Sequence, residues 1–277
     1  MVETVVRPSG PYSLALTVRW YGDATRMVRD GTVIAAVPGG LARAWQQPDG
    51  AVVLQGESEQ AIERLRFSLA LDDDHTPFLR RFARDPLIGE ATRRLRGMRQ
   101  SRVSTVAHAL LRAFCGQLIE SKRARHLEAG IVRAATPAVA GRLHAPPTAG
   151  TFAALAPAAL RQQGLHARRA AALVRICRTS DPERLRALPT EAAARQLERE
   201  RGLGPWSAGV VCLEGLGRPE RGLVGDLGLL KLVSALRGGR RAEAWETEEL
   251  LAPYGEWAGL ASVYLLKGFG LGLVRAA

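Results

Sequence analysis

Cysteine is scarce. Only Cys115, Cys177 and Cys212 occur in 277 residues, far apart and each inside an apolar helical pattern. That excludes a disulfide framework and any four-cysteine iron–sulfur cluster, and it suits buried free thiols in a reducing compartment. Lysine is as rare: Lys122, Lys231 and Lys267 stand alone among 39 basic residues. No apolar run reaches the roughly 20 residues that a membrane span needs. The opening MVETVVRPSG lacks the charged-then-apolar order of a signal peptide. The five histidines (His75, His108, His126, His144, His166) show no metal-ligand spacing, so no metal is expected. A soluble, cytoplasmic protein without membrane contact is the expectation. Acids are also short, with 27 Asp and Glu against 39 Lys and Arg, for a net charge of +12. Codon bias in a GC-rich genome explains arginine in place of lysine. It does not explain the excess of cations over acids, which points to a polyanionic partner.

What is present is enough for one large domain or two smaller ones with their own cores. Near the N-terminus the period is close to two. Tyr12–Tyr21 alternates as a strand, and Met27–Val37 and Ala51–Gly56 follow between turn signals at Gly22-Asp23, Pro38-Gly39-Gly40 and Pro48-Asp49-Gly50. Glu59–Ala70 reads as a helix. After Asp72-Asp73-Asp74 the pattern turns helical, over Thr76–Arg84, Leu87–Arg96, Ser104–Ile119, Lys122–Ala134, Phe152–Leu155, Pro157–Gln163, Arg168–Arg178 and Pro182–Ala187. The expected fold class is α+β. A small antiparallel N-terminal sheet domain (1–71) precedes a mostly helical domain (72–277). His144-Ala145-Pro146-Pro147 is a loop that could mark a cleft between two helical lobes.

The most informative stretch runs from Leu188 to Lys231. Thr190 is a candidate N-cap, and Gly202 a left-handed stop for the helix between them. Pro205 then suits the first turn of a second helix, where its missing N–H would be unsatisfied anyway. The hairpin Gly202-Leu203-Gly204, with Leu203 expected to anchor the turn in the core, is either an ordinary helix–helix turn or a phosphate site, its backbone amides and positive helix end facing outward. Asp226 follows Trp206 by twenty residues and opens a third helix. It is an N-cap, a functional carboxylate, or both.

Together, L-x-x-x-x-G-L-G-P-W-S-A and D-L-G-L-L-K resemble the helix-hairpin-helix DNA glycosylases, in particular the 3-methyladenine DNA glycosylase II branch. The likeness is strongest over 188–231 and extends more loosely over 72–270. It implies a two-lobed glycosylase domain in which Asp226 stabilises the positive charge built on the sugar as the N-glycosidic bond breaks. It places Gly202, Leu203, Gly204 and Ser207 against DNA, and Arg168 and Arg169 in a second helix-turn element. Gln117 and Leu118 match the turn at the mouth of the site, with Leu118 either an apolar wedge in the duplex or plain core. Trp206, Val210, Leu227 and Leu266 fall at base-pocket positions, where Trp206 either lines the pocket or fills core. Val210, Leu227 and Leu266 stand where relatives carry rings. Relatives that also cut the backbone carry a lysine where Trp206 stands here, so no Schiff base is expected.

The implied activity is monofunctional excision of damaged, alkylated purines from double-stranded DNA in base excision repair, by a monomer associated with the bacterial nucleoid. No cofactor is expected, apart from a possible monovalent cation on the hairpin backbone. An 8-oxoguanine-type glycosylase on the same fold, or a non-catalytic DNA-binding or damage-sensing protein, are the alternatives.

Overall fold

The computed structural model describes residues 1–20 and 22–275. Five antiparallel strands come first: β1 (Val2–Val6), β2 (Arg26–Arg29), β3 (Thr32–Val37), β4 (Gly40–Gln46) and β5 (Val52–Gly56), in the order β1-β5-β4-β3-β2. The run expected as one strand over Met27–Val37 folds back on itself. Asp30 and Gly31 both have positive φ, 49° and 72°, the Asp-Gly pairing that a tight hairpin requires.

The expected strand at Tyr12–Tyr21 is not one; its last residue, Tyr21, lies outside the described residues. Helix α1 (Leu14–Val18) stands there, with Ser13 Oγ accepting from the Leu16 amide at 3.3 Å. Leu14, Thr17 and Val18 are its buried residues. A five-residue segment fits both periods, and burial on the helical one decided. Helix α2 (Glu59–Ser68), capped by Ser58, puts Ala61, Ile62 and Leu65 into a core with Val33, Val52 and Leu54.

The helical remainder has a second core. Its elements are α3 (Thr76–Arg81), α4 (Gly89–Arg94), α5 (Val106–Gly116) and α6 (Ser121–Ala135), followed by a small unforeseen ribbon, β6 (Ala138–Ala140) with β7 (Leu143–His144). Then come α7 (Ala149–Ala153), α8 (Pro157–Gln162), α9 (Ala167–Thr179), a 3-10 turn at Pro182–Ala187 and α10 (Thr190–Glu198). Helix α11 (Pro205–Val210) runs straight into a π-helical turn, Val211–Leu216. The chain closes with α12 (Leu227–Leu236), α13 (Ala244–Leu251), a 3-10 turn at Ala252–Trp257 and α14 (Ala258–Gly270). Helix α5 is the axis: nine of its eleven residues are buried, so neighbours cover it on all sides. The three cysteines are buried, and burial pushes the Cys177 and Cys212 thiols up to about 12.

A buried ion network ties the N-terminal segment to this axis. Arg112 of α5 reaches Asp23 at 2.9 Å, Glu128 of α6 at 2.9 Å and Glu214 of the π turn at 2.7 Å. Arg26 also pairs with Asp23, and His108 Nε2 lies 2.7 Å from Glu128. Burial pushes the Asp23 and Glu128 carboxyls up, but the guanidiniums outweigh it and hold both below the usual range. Asp23, His108 and Glu128 bring metal-ligand atoms within 4.8 Å of one another. Arg26 and Arg112 already supply the positive charge there, so the cluster reads as an ion-pair joint.

Candidate active site

The site is assembled at one end of α5. Helix α10 stops short of Gly202, which takes φ +100°. Pro189, not Thr190, sits at the α10 cap position; Thr190 is the first helical residue and forms no cap bond. Leu203 points into the core at 5% exposure, anchoring the turn as expected. Gly204 is the N-cap of α11, and Pro205 begins it.

Gln117 locks the end of α5 to this hairpin. Its Nε2 donates to the Gly202 carbonyl at 2.7 Å and to Ser207 Oγ at 3.0 Å. Ser207 is therefore buried, with its hydroxyl engaged inside the protein, and offers DNA at most its backbone amide. The next residue, Leu118, has φ +54° and is 84% exposed. It is not core. A large apolar side chain is held in solvent by a backbone conformation that ordinary residues avoid.

Gly116 explains how the tryptophan fits. A Cβ at Gly116 would lie 2.6 Å from Trp206 Cη2, so only glycine lets the indole lie across the end of α5. From there Trp206 Nε1 donates to Asp226 Oδ2 at 2.8 Å. The other carboxylate oxygen, Oδ1, accepts from the Gly228 amide at 2.7 Å and the Leu229 amide at 3.4 Å, so Asp226 does cap α12. Both oxygens are thus fixed. The loop that brings Asp226 here comes close to α11, where a Cβ at Gly209 would meet the Gly222 carbonyl at 2.7 Å. Its backbone is tied by Leu223 N to Ser262 Oγ and by Gly225 N to Thr247 Oγ1.

The other expected pocket residues divide. Leu227 is 39% exposed beside Asp226, and Leu266 of α14 packs on Gly228. Val210 is 5% exposed and belongs to the core, so its side chain presents almost no surface to a ligand. Trp20, expected in a strand, packs against the helical core with Lys267 Nζ 4.2 Å over its ring. Burial pushes the Lys267 ammonium down to about 8.

The arginines divide between buried ion pairs and open surface. Arg99 and Arg102 are buried, and bond to the Ser9 carbonyl and to Asp73. Arg237 and Arg240 pair with the buried Glu246. Arg168 and Arg169 begin α9, capped by His166, and have no ion-pair partner among the described residues. Arg168 is one turn before Ala172, whose side chain faces Gly202 of the hairpin.

A glycine hairpin, an exposed apolar residue beside it and a fixed carboxylate opening the next helix thus come together at one end of α5. No protein-family model matches the chain. A DNA-3-methyladenine glycosylase of Bacillus subtilis is 26% identical over 228 residues, covering 79% of this chain and 75% of its own. Among solved structures, a 3-methyladenine DNA glycosylase from Archaeoglobus fulgidus superposes with a TM-score of 0.84 at 22% identity, covering 98% of this chain and 99% of that one. An 8-oxoguanine glycosylase/lyase of Clostridium acetobutylicum, bound to DNA with cytosine opposite 8-oxoguanine, gives 0.79 at 15% identity, covering 98% and 99%. The chain has the fold of the helix-hairpin-helix DNA glycosylases, over nearly its whole length, as the paired motif implied.

Proposed function

We propose that this chain is a monofunctional DNA glycosylase that flips damaged purines out of duplex DNA and hydrolyses their N-glycosidic bonds, with alkylated purines preferred. The observation that carries it is Asp226, whose carboxylate is held by helix amides on one oxygen and by an indole N–H on the other. A carboxylate that cannot rotate is preorganised to stabilise an oxocarbenium-like sugar, and can orient the attacking water with its remaining lone pairs. Pure DNA binding has no use for an acid placed beside phosphates.

In this reading the hairpin and the α11 amides hold the lesion strand, and Arg168 and Arg169 add phosphate contacts. Leu118 fills the gap left by the flipped base, which offsets part of the unstacking cost. Trp206, Leu227 and Leu266 bound the base. With few rings and no set of polar side chains among them, they suit a cationic base whose bond is already weak better than a neutral lesion that needs specific hydrogen bonds. A monovalent cation at the hairpin would draw on the Gly202, Leu203 and Gly204 carbonyls. Two of these already accept a bond, from Gln117 and from the Ala208 amide. Such an ion would stiffen the turn and takes no part in the chemistry. The enzyme acts as a monomer on cytoplasmic, nucleoid DNA, with a small N-terminal domain (1–71) ahead of the helical glycosylase domain (72–277).

Single-turnover base release from duplexes carrying 3-methyladenine, 7-methylguanine, hypoxanthine or 8-oxoguanine tests the reading. The alkylpurines should be released fastest. Asp226→Asn should lose release by about a hundredfold or more while binding DNA as tightly or tighter. Faster release of 8-oxoguanine than of 7-methylguanine would turn the assignment to the oxidised-purine enzyme. Near wild-type release by Asp226→Asn would remove the catalytic role.

A further inference from the structure

Two buried hydroxyls outside the paired motif converge on the loop that delivers Asp226. Thr247 of α13 and Ser262 of α14 are both completely buried. Each hydroxyl has one proton to give, and gives it to its own helix. Thr247 donates to the Ala244 carbonyl at 2.6 Å, and Ser262 to the Ala258 carbonyl at 2.8 Å. Their oxygens are left to accept, and each accepts a loop amide. Gly225 N–H donates to Thr247 Oγ1 at 2.7 Å, and Leu223 N–H to Ser262 Oγ at 3.1 Å. A hydroxyl bonded only to its own helix slightly destabilises that helix; these two also reach a second segment.

The segment they hold leads straight into the carboxylate. Gly225 has φ +81°, a conformation that glycine adopts at no steric cost, and the next residue is Asp226. The Ala244 side chain closes on it as well, 3.6 Å from where a Cβ at Gly225 would lie. Two residues before Gly225, Leu223 is pinned by its amide on Ser262, by its buried side chain and by its carbonyl, which accepts from the Asp226 amide at 3.0 Å. A movement at Gly225 therefore finds no slack behind it and passes forward to Asp226. We infer that Thr247 is a positioning residue for Asp226: its oxygen fixes the Gly225 peptide, and with it the distance from the carboxylate to the Trp206 indole. A methyl in place of that oxygen shows the size of the effect. Nonbonded carbon sits about 3.5–4.0 Å from its neighbours, so Gly225 would have to retreat by about 1 Å. The Trp206–Asp226 bond is 2.8 Å long and is lost by roughly 3.6 Å. The inference rests on the glycosylase reading only in calling the carboxylate catalytic.

Thr247→Val keeps the shape and removes the acceptor, whereas Thr247→Ser keeps the acceptor and removes the methyl. The first readout needs no activity. In a proton–nitrogen NMR spectrum the Trp206 indole N–H is identified by its loss in Trp206→Phe. It should move towards the position of a free indole in Thr247→Val and stay in place in Thr247→Ser. The control is Thr136→Val, which removes a buried hydroxyl bonded to the Val132 carbonyl of α6 and should leave the signal unmoved. The second readout is single-turnover release of 7-methylguanine. Thr247→Val should lose rate by about ten- to a hundredfold, the scale of a 1 Å misplacement, with duplex affinity unchanged, and Thr247→Ser should recover it. In the Asp226→Asn background the valine should cost no further rate, because no carboxylate is left to misplace. Thr247→Ala, with no methyl forced against Gly225, should show a smaller loss and carries the same test if the valine variant does not fold. An unmoved indole in the folded valine or alanine variant, failure of serine to restore it, or a full second loss in the Asp226→Asn background overturns the positioning role. If wild type releases no base, the glycosylase reading fails instead, and the indole signals alone decide whether Thr247 sets Asp226.

Discussion

Trp206 carries more than the stacking surface its place in the motif suggests. Its ring lies over Gly116 and its N–H holds one oxygen of Asp226, so a single side chain packs the end of α5 and sets the carboxylate. Ring and donor can be separated. Trp206→Phe keeps an aromatic surface and loses the bond, leaving Asp226 Oδ2 free to turn. Substrate binding should then change little, while the single-turnover rate on 7-methylguanine falls by about tenfold or more, the value of one hydrogen bond made to a charged group. A rate equal to wild type would mean that Trp206 serves as surface alone. Gly116 belongs to the same unit, because any side chain there displaces the indole and, through it, the carboxylate.

At the scale of elements, the joint between the N-terminal segment, α5, α6 and the π turn depends on Arg112. Removing it leaves Asp23, Glu128 and Glu214 short of a partner in a mostly buried place. Arg112→Ala should therefore cost about 3–5 kcal/mol at neutral pH, measured by denaturant unfolding. The pH dependence follows from the direction of the shifts. Asp23 and Glu128 have folded-state pKa values held below their unfolded ones. Their contribution is complete above the ordinary carboxylate range near pH 4 and is lost as pH falls below it. In the variant the same carboxyls lack the guanidinium, so protonation relieves them. The stability gap between wild type and Arg112→Ala should narrow from pH 7 to pH 3. A gap independent of pH would show that the arginine acts by packing.

Taken whole, the molecule combines a large positive charge with almost no lysine. Lys122 is on the exposed face of α6, Lys267 is stacked on Trp20, and the place beside the hairpin is filled by Trp206. An enzyme that breaks the glycosidic bond with water should leave the abasic strand intact until it is heated in alkali. Borohydride should trap no covalent protein–DNA adduct. Recovery of such an adduct would point to an amine nucleophile and overturn the monofunctional assignment.

The sequence by itself determined the hairpin, its buried Leu203, the start of α11 at Pro205 and the aspartate that opens α12, because each depends on local backbone chemistry: positive φ, a missing N–H, a capping carboxylate. It also determined that a tryptophan, Trp206, and not a lysine follows the hairpin. Local chemistry was not enough at Tyr12–Tyr21, where both periods fit five residues and burial of Leu14, Thr17 and Val18 chose the helix. Nor could it sort the arginines. Arg99 and Arg102 were as basic on paper as Arg123 and Arg125, and only packing buried one pair and left the other facing a cavity. The bond from Trp206 to Asp226, the immersion of Val210 and the exposure of Leu118 are likewise tertiary facts. They depend on how closely α5, α11 and the loop before α12 approach, and that closeness is set by glycines at 116 and 209, whose partners are far away in the chain.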